Sequence, residues 1–448
     1  MIKKNTLIVL LIAVLLGGGV YFYNQKHGQK ESSTNAESKP AFDVKNGDIV
    51  AMTLTHPAKP DTPAIQLKKE NGTWQILAPV ETGADQPSVE GITSGLAAAL
   101  FSGTEPGTPD RLKAYGLDPA QISIEFQTKN GGKHTLLLGN KDFTGEYVYG
   151  VADGGKKVDL LPQTMLVSAD KSLEDLRNRD VLRIESEDVA SFDLKNATGE
   201  ISAKKGDKGW MLTKPEEKPA DAENVSSLLA EVSTSKMQSI VSEKPENLGK
   251  YGLTSPSITF VTKDDKGNEQ SLLIGKKDGD TYFARDLSRP MIFRINNDLY
   301  LKLAENFGSL RDKTVLRFSQ DDVDRAEVKN TYGDVTIYRK TPGKAEWLFA
   351  EPDSEKGKQA GSWKFFSPLE TARADDVLDH PPAEALAALR KPPITATLTT
   401  KDGKKITVDI SKPDKGFVYV KTSETPSVFK VKSDFYDGMN FTAAQAIF

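Results

Sequence analysis

The 448-residue sequence predicts a β-rich α+β fold: a tandem repeat of about three units, each an antiparallel β-meander sheet packed with one or two helices, the whole preceded by one transmembrane helix. Three observations carry this expectation. Positions 65 to 142 return at 201 to 278 with a fixed offset of 136, so that Trp74, Pro79 and Ala84-Asp85 reappear as Trp210, Pro215 and Ala220-Asp221. An ungapped match of that length marks a duplicated folding unit, and a period of this kind decides the architecture before any single element does. Short alternating apolar runs are joined by turns such as Asn71-Gly72, the signature of hairpins. Finally, Lys3 and Lys4 precede an uninterrupted run of apolar residues and glycines from Leu7 to Tyr23.

That run spans about 25 Å as a helix, near the short end for a bilayer. A cleaved signal peptide would need a small-residue site, for which Gly17-Gly18-Gly19 is the only approximation; the flank Tyr21-Phe22-Tyr23 suits the headgroup interface and favours an uncleaved anchor. The expected organisation is a cytoplasmic N-terminus at 1–4, a single-pass inner-membrane anchor at 5–23, a flexible polar tether at 24–47, and repeat units at 48–184, 185–318 and 319–448, the last diverged. The body is then extracytoplasmic or periplasmic.

Within the first unit, Ile49 to Leu54 alternates as a strand, and Ile65 to Lys69 and Thr73 to Leu77 flank the Asn-Gly turn. Asp85 stands where an N-cap belongs, its carboxylate accepting from N–H groups that a helix start leaves unpaired. Val89, Ile92, Leu96 and Leu100 follow at helical spacing; the second copy opens at Asp221 and shows Val225, Leu228, Leu229 and Val232. A short helical turn begins at Pro109 and at Pro245, since proline suits the first helical position. It ends at Tyr115-Gly116-Leu117 and Tyr251-Gly252-Leu253, where glycine can take the left-handed conformation that stops a helix. Ile122 to Thr128 and Thr135 to Leu138 form the next hairpin, Glu146–Val151 and Lys156–Leu160 two further strands, and Leu176 to Arg183, echoed by Leu310 to Arg317, closes the unit. In the third unit Trp363, Pro368 and Asp375 are read as continuing the Trp-Pro-Asp ladder. Ile394 to Thr400 and Ile406 to Ile410 repeat the hairpin, Tyr-Gly-Leu is missing, and His380-Pro381-Pro382 is expected to break the short helix.

The residues offer little chemistry. No cysteine occurs, which excludes disulfides, thiolate zinc sites and thiol nucleophiles. A net charge of −4 gives no basic face for nucleic acid, and no phosphate-binding loop for a nucleotide is present. His27, His56, His134 and His380 lie far apart and read as surface histidines. Gly139-Asn140-Lys141-Asp142 faintly imitates a guanine-recognition motif, but it recurs as Gly275-Lys276-Lys277-Asp278 after the same strand and is read as a turn. The acid pairs Asp264-Asp265 and Asp321-Asp322 would serve a glycosidase only if folded to a defined separation across a cleft. Trp74, Trp210 and Trp363 could stack a sugar or peptide, yet their repetition at one position marks core packing, as it does for Tyr115 and Tyr251. No catalytic, cofactor-binding or metal-ligating residue is assigned, no cofactor is expected, and the chain is read as not an enzyme.

The N-terminal anchor, the W-x4-P-x4-A-D step, Tyr-Gly-Leu, the segments ending in Gly139 and Gly275, and Leu176 to Leu182 followed by Glu187-Asp188-Val189 together resemble the domain-of-unknown-function family numbered 4340. The resemblance covers about residues 45 to 330 well. It implies an extracytoplasmic, membrane-anchored protein, often encoded beside components of gliding-motility-like ABC-type transport systems, and supplies no catalytic residues. The expected function is a non-enzymatic accessory or scaffold subunit of a cell-envelope or transport assembly, with the membrane and an envelope or transporter protein as partners. A glycan- or lipid-binding envelope module is the alternative, and a carboxylate-dependent hydrolase the third reading.

Overall fold

The structure, a computed structural model, describes residues 39–341 and 344–447. The anchor expected at 5–23 lies outside the described residues, and among those described no helix is long and apolar enough to cross a membrane. The chain divides into two compact units between Arg179 and Asp180. One nine-stranded sheet builds the first; a nine-stranded and an eight-stranded sheet build the second, and every pairing within the three is antiparallel.

In the first sheet the strands run, edge to edge, Thr82–Gly83, Thr73–Ala78, Ile65–Glu70, Ile49–Thr55, Ile122–Thr128, Lys133–Lys141, Tyr147–Ala152, Lys157–Pro162 and Thr104–Pro106. It is thus two meanders joined where Ile49–Thr55 pairs with Ile122–Thr128. The chain between them carries helix α1 (Gln86–Ala97) and the short α2 (Pro109–Ala114); α3 (Gln163–Ala169) and α4 (Leu173–Leu176) close the repeat. Asp85 caps α1 by accepting from the Ser88 N–H, and Val89, Ile92 and Leu96 are buried in the core, each contributing about 1.5–3 kcal/mol of burial. Leu100, expected on that face, instead lies in the strand Leu100–Phe101 and is exposed, because α1 ends at Ala97, one residue after the buried Leu96, and is capped at Ala98.

The second repeat has the same order, from Lys218–Pro219 at one edge to Ser239–Ser242 at the other, with α5 (Ala222–Thr234), α6 (Asn297–Leu303) and α7 (Phe307–Leu310). The third has α8 (Trp363–Thr371), α9 (Ala383–Ala388) and α10 (Asp434–Met439), and lacks only the two-residue strand beside its tryptophan strand. Gly116 and Gly252 take positive φ as their turns require.

Besides Leu100, and Pro245, which precedes a 3-10 turn at Leu248–Tyr251 capped by Asn247 instead of opening it, four expectations need correction. Residues 39–47 of the expected tether are folded: Lys39–Pro40 pairs with Leu100–Phe101, the Ala41 N–H donates to Ala99, and Phe42 is 4% exposed in the first core. The same slot is filled by Val181-Leu182 in the second repeat and Val315-Leu316 in the third, where Val181 and Val315 donate to Ser235 and Ala372. These pairs therefore open a repeat rather than close the one before. Second, the third tryptophan of the ladder is Trp347, not Trp363. The Ala84, Ala220 and Ala360 N–H groups donate to the carbonyls of Trp74, Trp210 and Trp347, and Trp347 is 2% exposed whereas Trp363 is 56% exposed on α8. Pro352 then matches Pro79 and Pro215, and Pro368 and Asp375 leave the ladder. Third, His380-Pro381-Pro382 does not abolish the short helix: Pro382 sits at the N-cap of α9 and directs its start. Fourth, Gly139 to Lys141 and Gly275 to Asp278 are strand residues at register shifts, not turns.

A side chain built on Gly139 or Gly275 would run into the carbonyl oxygen of Tyr115 or Tyr251, so the glycine is the counterpart of the Tyr-Gly-Leu turn that presses on it. The third repeat has lost both together: Ser411, buried, stands at this position, where its Oγ accepts from the Tyr419 N–H at 2.8 Å. Truncation separates the two tryptophans of the third repeat. In urea unfolding, Trp347→Ala should lose about 3–5 kcal/mol, while Trp363→Ala should stay within about 0.5 kcal/mol of the parent. Equal losses would return Trp363 to the ladder.

Candidate functional site

Equivalent positions that differ between repeats are where a scaffold built three times can acquire something specific. The tryptophan position is one. In the first repeat, Gln86 at the start of α1 lies over the Trp74 strand: its Oε1 accepts from the Trp74 N–H at 2.7 Å, and its Nε2 donates to the carbonyls of Trp74 and Ala84, each at 3.0 Å. Trp74 is 1% exposed beneath it. In the second repeat the same helix position is Ala222, whose side chain ends at Cβ. Trp210 is correspondingly only half-buried, leaning on Phe192 with ring centroids 5.8 Å apart.

The space left is a groove of about 560 Å³. Its floor is Trp210, Met211, Pro219, Ala220 and Ala222; its rim carries Asp221, Glu223 and Asp312 against Lys208, Arg317 and Arg373. Arg373 comes from the third repeat, just after α8, so the groove is shared by the second and third repeats of one compact unit. Its guanidinium donates to the Thr314 hydroxyl at 2.6 Å and to Asp312 at 3.2 Å, and lies 3.7 Å from Asp221. Burial works to raise the pKa of Asp312, but hydrogen bonds from Thr314 and Arg317 outweigh it and hold the carboxylate ionised.

Beside the groove a second polar cluster ties the two repeats. Arg311, from the end of the second repeat, donates to both oxygens of Asp379 at 2.5 and 2.9 Å; Lys218 lies 3.1 Å away and the Ser427 hydroxyl donates at 2.8 Å. The paired Arg311 bonds hold the Asp379 carboxyl well below the usual carboxylate range; partial burial opposes this, and Ser427 and Lys218 reinforce it.

The residues weighed in the sequence do not converge. His56 is buried rather than exposed, its Nε2 3.6 Å from Asp170, because it sits at the end of a core strand. His134 is half-buried, stacked on Phe126 with Nδ1 2.9 Å from Asp153. His380 is exposed and His27 lies outside the described residues. Asp264 is taken up by its own turn, accepting from the Lys266 and Asn268 N–H groups, and Asp322 sits in a short 3-10 turn. Tyr115 stacks on Tyr149 and Tyr251 meets Phe283 edge-on, both in packing roles. Among the described residues no three His, Asp or Glu side chains are grouped as a metal would require. The Trp210 groove and the Asp379 cluster were not read from the sequence. The groove's signal was available as Gln86 against Ala222 at a single helix-start position.

The family model described as domain of unknown function (DUF4340) matches residues 74–218 and 210–392. The chain belongs to this family. Both matches start on the tryptophan of their repeat, Trp74 and Trp210, so the DUF4340 period and the structural period coincide. No curated protein matches the chain.

The Asp379 cluster has a pH signature. A carboxylate whose folded pKa lies below its unfolded value of about 3.9 stabilises the fold fully above that pH, and the contribution is lost as pH falls towards the folded pKa. Asp379→Asn should cost about 1–3 kcal/mol at neutral pH, with the gap to the parent narrowing below about pH 4. Urea midpoints across pH check it; a gap that stays constant down to pH 2 would exclude the linkage.

Proposed function

We propose that this DUF4340 protein is a membrane-anchored extracytoplasmic scaffold, a non-enzymatic accessory subunit of a cell-envelope or ABC-type transport assembly, held by residues 5–23 with its body outside the membrane. One observation carries the reading: the buried and capping side chains recur from repeat to repeat, while the features that could make a specific contact, the Trp210 groove, the Asp379 cluster and Phe143, each occur once among the described repeats. The recurring set is the tryptophans, the capping Asp85 and Asp221, and the Val-Leu pairs of the inter-repeat slot. Duplicated packing with individual surfaces lets each repeat offer a different contact, which is what an accessory subunit needs. A shared reaction would instead repeat its reactive groups or gather them in one cleft.

Phe143 supports a protein partner. It stands 97% exposed at the tip of the hairpin between Lys133–Lys141 and Tyr147–Ala152. The turn below it is fixed by Asp142, which accepts from the N–H groups of Gly145 and Tyr147 and from the Thr144 hydroxyl. The second repeat has Gly279 at its corresponding tip. The turn's hydrogen bonds order the backbone that presents Phe143, and an aromatic is the residue type that dominates interface energies.

The test uses the full chain in its own cells. Protease added to intact spheroplasts should digest the body, and removal of residues 5–23 should release it from the membrane fraction. A photo-crosslinking residue at position 143 should capture an integral membrane transport component, and Phe143→Ala should lower co-purification of that component about tenfold, roughly 1.4 kcal/mol. A body protected from external protease, or a chain recovered without a membrane partner, would overturn the proposal.

A further inference from the structure

We propose that the Trp210 groove is a saccharide-binding subsite, taking one or two rings of a neutral glycan. The proposal goes beyond the scaffold reading and stands without it. Its basis is the comparison the chain makes with itself. In the first repeat the position above the tryptophan is closed by Gln86, which satisfies the Trp74 N–H and two carbonyls. In the second repeat Ala222 leaves the place open, and Trp210 is only half-buried while Trp74 and Trp347 are fully buried. A keystone tryptophan used only for packing gains nothing from being uncovered, since exposing apolar area costs about 25 cal/mol per Å².

What surrounds the indole selects the ligand class. Met211, Pro219 and Ala220 add apolar lining beside the indole. The C–H face of a pyranose can lie on such a floor, with the indole supplying a rigid, amphipathic surface. The rim supplies carboxylate acceptors from Asp221 and Glu223, and donors from Arg373, which is more than half exposed and retains donors beyond those given to Thr314 and Asp312. Adjacent hydroxyls, each donor and acceptor at once, match a rim that carries both carboxylates and guanidinium groups. The three acids and three bases of the rim balance, which disfavours an anionic ligand such as a phosphate or a nucleotide and suits an uncharged polyol. Arg373 is already oriented by Thr314 and Asp312, so little rotamer freedom is lost on binding.

The experiment uses the full-length protein in a detergent that carries no sugar, titrated with the trisaccharides of N-acetylglucosamine, glucose in β-1,4 linkage and glucose in α-1,4 linkage. At least one should quench or shift tryptophan fluorescence saturably at millimolar concentration or below, with the heat of binding giving the same Kd. Trp210→Ala should weaken binding about tenfold or more. Because that variant also loses packing on Phe192, Ala222→Gln is the decisive one: it restores the amide of the first repeat, should keep or raise the unfolding midpoint, and should abolish saccharide binding. The proposal is overturned by no response to any of the three trisaccharides, by Ala222→Gln binding as well as the parent, or by a short neutral peptide that binds the parent and is blocked by Ala222→Gln where the sugars do not bind.

Discussion

Each repeat is held closed by two residues that precede its long helix and are hydrogen-bonded in opposite directions. Ala84, Ala220 and Ala360 donate back to their tryptophan strands, while Asp85, Asp221 and Gly361 donate forward to Leu176, Leu310 and Ala446 at the far end of the same repeat. The backbone is thereby pinned between the first meander and the last helix of the repeat, and the helix must leave in one direction. From that direction follow the helix face presented to the sheet and the slot into which the opening pair of the repeat, Ala41-Phe42, Val181-Leu182 or Val315-Leu316, is pressed. Backbone bonds carry no side-chain information, so the closure survives even where the third repeat has replaced the capping aspartate with glycine and the closing arginine with Ile447.

A closure made by the main chain frees the side chains at the same positions to differ. Arg311 shows the consequence. Its backbone bridges Ala220 inside the second repeat, and its guanidinium reaches outward to Asp379 of the third. One residue thus ends one repeat and fastens it to the next. The groove at Trp210 lies beside that fastening, and Arg373 enters its rim from the third repeat through the bridge between Thr314 and Arg373. The pairing of repeats and the shape of the groove are consequences of one junction.

Much of the scaffold was legible because the chain states it twice. The helix caps at Asp85 and Asp221, the positive-φ glycines Gly116 and Gly252 and the hairpins are local signals, fixed by a few neighbouring residues, and repetition filtered chance from rule. Position in the third repeat was not legible, for a specific reason: it contains two W-x4-P spacings, Trp347 with Pro352 and Trp363 with Pro368. Spacing alone cannot rank them. The register of Trp347 opposite Arg339 does, since Trp74 and Trp210 face Lys69 and Lys205 in the same way. A cation over the ring, Lys69 at 5.9 Å and Arg339 at 4.5 Å, accompanies the buried indole in the first and third repeats. That contact depends on strand pairing, which the sequence holds only implicitly. Phe42 was missed for a related reason. A polar stretch with one aromatic looks like tether until the slot it fills is known from the later repeats.

The same logic explains why the groove was the least legible feature. Reading repeats for what they share discards differences as drift, and Gln86 against Ala222 is a difference. A glutamine-to-alanine change at a helix start carries almost no propensity cost, so nothing in local sequence marks it. Its weight comes from three hydrogen bonds that Gln86 makes to the strand beneath, and from the indole those bonds cover. Where duplication supplies a closed and an open version of one site in a single chain, the closed copy defines what the open copy lacks. Here the lacking piece is a carboxamide lying on a tryptophan strand, and the place it vacates is lined by the carboxylates and guanidinium of two repeats. Loss of a packing element at a tryptophan whose groove is also lined by Arg373 of the third repeat argues against neutral drift of a core. It is the arrangement expected where an internal contact has been exchanged for an external one.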